Sequence, residues 1–214
     1  MPIPVIHQST VLSSYCKLME ELKLRHAIVL DVVENAKNGR FVLSPAILGE
    51  LCFLQLRMIC ELIALGCLII HGDIPAARTN KMTKAYQADW IISRLEQLHP
   101  SFYPQPCEQS LDKQGNVIEL KPVTEPYLTK TDLLKLHASC GLKLHRGSLK
   151  TVMDARSFDL AQVASWLAKI ATLLNQHQIP SIDDNHVVVI IMRGKDDGKI
   201  HAYAATRIAG DMPS

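Results

Sequence analysis

The chain has 214 residues, 48% of them hydrophobic, and its 23 lysines and arginines against 21 acidic residues leave a formal charge of +2. That is apolar mass enough for one large domain, or one domain with an appendage. The charge balance excludes a strongly basic or acidic protein, although a local basic face remains open.

Six cysteines at positions 16, 52, 60, 67, 107 and 140 show neither a CxxC pair nor a framework spacing. Four of them, 16, 52, 60 and 67, fall on apolar helical faces, where a free thiol behaves as a small hydrophobe. This predicts a reducing, cytoplasmic setting. The start, MPIPVIHQST, has no basic opening and no long apolar core, so no signal peptide is expected.

Apolar residues at Val11, Tyr15, Leu18, Leu22, Val29, Val32 and Val33 recur at helical spacing and predict a first helix from about Thr10 to Ala36. Asn38-Gly39 ends it, because both residues accept the left-handed conformation. Ser44-Pro45 opens a second helix as an N-cap followed by a first-turn proline. That helix runs to about His71-Gly72 and is apolar almost all round, which predicts the central helix of the fold. It also prompts a membrane check. Gln55, Arg57 and Glu61 interrupt it, and the apolar run after Glu61 is far short of the roughly 20 residues a span needs, so no membrane association is expected.

A third helix is expected over about Pro75 to His99, with Met82, Tyr86, Trp90, Ile91, Leu95 and Leu98 inward and Pro100 stopping it. The proline-rich stretch that follows contains LDKQGNVIEL, which predicts a small hairpin around Gln114-Gly115. A fourth helix opens at Thr129 or Thr131 and runs toward Arg146-Gly147. A fifth starts after Ser157 and ends near His177. The sequence closes with HVVVIIMR, GKDDG and KIHAYAATRI, a two-stranded hairpin that is marginal alone and must pack on the helices or on a partner.

The polar residues that stand out are Arg57 and Glu61, four apart on one face of the most apolar helix. Arg before Glu is the weaker order for local helix support, so both groups are expected to have further partners. The fourth helix offers them in LKLHASCGLKLHRG: His137, Cys140 and His145 carry groups that reach inward, and Gly141 permits close approach. Ser139 and Lys143 are expected outward. Two readings stand, a structural ion pair tying helices together and a ligand or catalytic site. His145 near a helix C-terminus is favoured in its charged form, with Glu61 as counter-charge.

Arg57 and Glu61 in an RxxxE pattern, followed by C140-G-L-K-L-H145, resemble the HEPN superfamily, helical nucleotide-binding domains of toxin, defence and RNA-processing systems. The resemblance covers roughly residues 10–178. It implies a nucleotide or RNA ligand and a homodimer. Catalytic members carry an Arg-x4–6-His motif that forms a metal-independent ribonuclease site, and R94-L-E-Q-L-H99 has that spacing. There His99 would move a proton and Arg94 would stabilise the phosphorane. In a regular helix, however, five positions turn through about 140°, so the two side chains diverge.

H137-x2-C140-x4-H145 could supply three metal ligands, yet no second cluster completes a tetrahedron, so neither metal nor cofactor is expected. Lys130, Lys135, Lys143, Arg146 and Lys150 against Asp132 form a basic stretch that reads as a phosphate-backbone footprint or as a solvated helix face.

The expectation is therefore a mainly α, up-and-down bundle of about five helices over residues 1–178, with a β-hairpin insert at about 104–123 and a C-terminal β-hairpin appendage over 179–214. Its leading function is an HEPN-like module binding RNA or a nucleotide in a defence or stress setting, with Arg57, Glu61, His137, His145 and Arg146 as binding residues. The alternatives are a ribonuclease using Arg94 and His99, and a non-catalytic dimeric interaction domain.

Overall fold

The computed structural model describes residues 5–40, 44–77, 79–114, 117–145, 159–182 and 185–206. Helices α1 (Val5–Lys37) and α2 (Pro45–Ile70) form an antiparallel pair. Near one end of it, a Cβ added to Gly66 would lie 2.9 Å from the Tyr15 ring. Toward its middle, Arg25 donates to Gln55 at 2.8 Å. Gly39, with φ 64°, ends α1 in the left-handed conformation that glycine adopts without strain. Ser44 is extended and Pro45 opens α2, although the serine side chain makes no capping hydrogen bond. By length and apolarity α2 could cross a membrane. Here it packs between α1, α4 and α5 as the central helix of the core.

The expected third helix is divided. A 3-10 turn (Pro75–Ala77) leads to α3 (Asn80–Thr83) and then to α4 (Ala88–Leu98). Thr79 caps α3 by accepting from the Met82 N–H at 3.3 Å. Met82, Ile91 and Leu95 are buried as the periodicity demands, but Tyr86, expected inward, lies in the break and is 69% exposed. Helix α5 (Lys130–Leu144) starts at Thr129, whose hydroxyl accepts from the Asp132 N–H at 3.1 Å. Helix α6 (Leu160–Leu174) starts at Asp159, which accepts from the Gln162 N–H. The cap expected at Ser157 lies outside the described residues.

The up-and-down bundle with two separate hairpins is corrected by the sheet. Strands β1 (Gln105–Leu111), β2 (Val117–Pro122), β3 (Gln176–Pro180), β4 (His186–Ile191) and β5 (His201–Thr206) form one five-stranded sheet in the order β2-β1-β3-β4-β5. Every pairing is antiparallel. Both expected hairpins are present, and β3 joins them. Gln105 and Pro106 of β1 lie opposite Gln178 and His177 of β3, while the other edge of β3 runs along β4 from Gln176↔Ile191 to Pro180↔Val187.

The expected domain boundary at 178/179 therefore falls inside β3. The C-terminal strands are part of the core: Ile179, Ile190 and Met192 pack in the same apolar cluster as Tyr15, Leu56 and Leu174. Histidines fasten the helices to this sheet. Tyr15 on α1 donates to His177 Nε2 at 2.7 Å, and the other ring nitrogen donates to the Leu174 carbonyl at 3.1 Å. His71 and His99 both reach the Pro180 carbonyl through Nε2, at 3.1 and 3.3 Å.

Candidate functional site

Helix α2 presents Arg57 and Glu61 to α5, and the two helices run antiparallel there. Glu61 lies opposite His137, Arg57 opposite Gly141, and Phe53 opposite Lys143. The contact is close because position 141 has no side chain. A Cβ there would sit 3.3 Å from Arg57 Nη1, so glycine leaves the guanidinium its place against the helix.

Arg57 Nε donates to Glu61 Oε1 at 3.1 Å. The same carboxylate oxygen stands 3.6 Å from His137 Nε2, beyond hydrogen-bond length. The side chains of Arg57 and Glu61 are 30% and 18% exposed, while His137 is buried. The pair is therefore neither dry nor fully solvated. Among the described residues, the Arg57 Nη groups have no hydrogen-bond acceptor, and the buried His137 Nε2 has no hydrogen-bond partner. The site thus contains a guanidinium fixed through one nitrogen with its outer fork unengaged, and an imidazole nitrogen held beside it. A planar fork of N–H donors suits a carboxylate or phosphate.

Two thiols lie under the pair. Burial pushes Cys140 up to about 12 against a lowering pull from Arg57. Burial also raises Cys60 strongly, reinforced by Cys140 and Glu61. Both stay protonated near neutral pH, so neither serves as a nucleophile. All six cysteines are free. Two residues beyond Gly141 on α5, the exposed Lys143 holds its ammonium 5.9 Å from the Phe53 ring centre.

The other sequence candidates fall in different places. His145 follows the last residue of α5, is exposed, and its backbone N–H bonds the Gly141 carbonyl at 3.2 Å. The imidazole beside Glu61 is that of His137, two turns earlier. Arg146 lies outside the described residues. Arg94 and His99 are not brought together: Arg94 is exposed on α4 and donates to Gln97 at 2.8 Å. His99 turns inward to the Pro180 carbonyl, with its ring centre 5.2 Å from that of His71. Of the basic stretch, Lys130 is paired with Glu96.

The structure adds Phe53 to the site. Its aromatic face under Lys143 had no signature in the sequence beyond its place one turn before Arg57. No group of three or more metal-ligating side chains is present among the described residues. No protein-family model matches the chain, and no curated protein or solved structure matches it.

Proposed function

We propose that this protein is a non-catalytic module that binds RNA or a nucleotide through its phosphate, with the Arg57 fork as the principal contact. One observation carries the reading: Nε of Arg57 is held by Glu61 while the side chain is 30% exposed and its Nη donors are, among the described residues, without an acceptor. Glu61 fixes the plane of the guanidinium, which lowers the ordering cost of a bidentate phosphate contact. Lys143, two residues beyond Gly141 on α5, adds a second positive charge over the Phe53 ring. The likeness of R57-x3-E61 and C140-G-L-K-L-H145 to HEPN domains supports a cytoplasmic defence or stress role and a homodimer. The outer edge of β5, which pairs only with β4 among the described strands, offers a place for such pairing.

The test is fluorescence anisotropy of a short labelled RNA and of a labelled nucleotide, at low and at raised salt. Arg57→Ala is expected to weaken binding about tenfold, the size of one charge-assisted contact. Arg57→Lys, which keeps the charge without the fork, is expected to restore only part of it. Absence of binding at low salt, or equal binding by wild type and Arg57→Ala with circular dichroism unchanged, overturns the proposal.

A further inference from the structure

A separate cavity of about 540 Å³ opens between α1, α6 and the residues that follow β4. Neither Arg57, Glu61 nor His137 lines it. Its size falls within the range of about 300–1,000 Å³ seen for small-molecule sites. The floor is apolar and fixed: Leu22, Ile170, Leu174 and Met192 all belong to the buried core. Leu30, also in the wall, remains 41% exposed, so part of a large apolar side chain stands open to whatever enters.

The charges are one-sided. Among the described residues, Lys23 and Arg193 line the cavity and no carboxylate does. The Lys23 ammonium is partly engaged, 3.2 Å from Glu20 on its own helix and 3.3 Å from the Gly198 carbonyl. Arg193 is exposed, and among the described residues its guanidinium makes no ion pair or hydrogen bond. His26 spends Nε2 on the Leu167 carbonyl at 3.1 Å, so it is wall rather than anchor. An apolar trough lined by an unengaged guanidinium and an ammonium complements a molecule with a greasy body and one negative head. A cationic amphiphile would meet two like charges, and a bare anion would leave the floor unused.

We propose that this cavity is a binding site for a free, small amphipathic carboxylate. Its chain lies on Leu22, Ile170 and Met192, and its head is held by Arg193 with Lys23 as second cation. The site is independent of the RNA-binding reading.

Decanoate is the probe, titrated calorimetrically into the full-length protein, with decyltrimethylammonium as the charge-reversed control. Wild type is expected to saturate at one decanoate per chain and to ignore the cationic analogue. Arg193→Ala is expected to weaken decanoate about tenfold, as loss of a charge-assisted contact does. Ala171→Trp and Ala27→Trp, each placing an indole in the trough from an exposed position, are expected to abolish binding with an unchanged circular dichroism spectrum. Decanoate that does not bind up to its solubility limit overturns the proposal. So does equal affinity for the cationic analogue, or an affinity unchanged in Arg193→Ala and in whichever tryptophan variant folds.

Discussion

The His177 contact makes stability depend on pH in a way that can be worked out from the structure. The ring is buried between α1 and β3, gives its Nδ1 proton to the Leu174 carbonyl and receives the Tyr15 hydroxyl proton at Nε2. This arrangement needs the neutral ring. Burial pushes its pKa from 6.5 down to about 4, whereas the unfolded chain titrates near the ordinary value of about 6.5. The stabilisation is therefore fully present above about pH 6.5 and is lost as pH falls toward 4, because the unfolded state takes up a proton that the folded state refuses. One proton corresponds to about 1.4 kcal/mol per pH unit, or about 3 kcal/mol across that window. Urea unfolding followed by circular dichroism, at pH values from about 7.5 to about 4.5, measures it. His177→Gln keeps an acceptor for Tyr15 but cannot titrate. It should be the less stable protein at neutral pH, and the gap to wild type should narrow by about 2–3 kcal/mol on acidification. The burial-lowered His71 contributes to both curves and cancels. Parallel curves for the two proteins would refute the assignment of His177 as a neutral, doubly bonded core histidine.

Gly66→Ala places a methyl 2.9 Å from the Tyr15 ring. Because that ring is locked by His177, the variant should lose about 1–3 kcal/mol in urea unfolding; a neutral effect would mean α1 and α2 separate easily. Glu61→Ala strips the counter-charge from a guanidinium that is 30% exposed. The cost should fall between the limits for surface and buried pairs, about 1–3 kcal/mol, and a loss below about 0.3 kcal/mol would show a pair already satisfied by water.

The helical half of the fold was legible because its signals are local. Asn38-Gly39, Ser44-Pro45 and Thr129 mark ends that depend on a few neighbouring residues, and the α2 apolar run identifies its own place in the core. The sheet was not legible as one sheet. A hairpin signal links strands close in sequence, so β1–β2 and β4–β5 could be read, but the pairing of β3 with β1 joins residues 105–106 to 177–178. The β3 sequence QHQIP has a single β-branched residue and follows α6 almost directly, so it reads as a helix tail. Similarly, the third helix breaks near Tyr86 although Met82, Tyr86 and Trp90 keep the helical period; tertiary packing of α4 overrides that pattern. At the site, RxxxE and Gly141 pointed to the α2–α5 contact. Choosing between His137 and His145 as the imidazole facing Glu61 required the antiparallel register of the two helices, which helix periodicity does not contain.

The central claim is that Arg57 is held at one nitrogen and open at the others. Side-chain 15N NMR of the arginines, recorded while AMP and then adenosine are titrated into the full-length protein, tests it directly. The Nη–H signals of Arg57 should shift and sharpen with AMP, its Nε–H signal should move little, and adenosine should leave both in place. Arg57 signals that ignore AMP, or that respond equally to adenosine, would contradict the account.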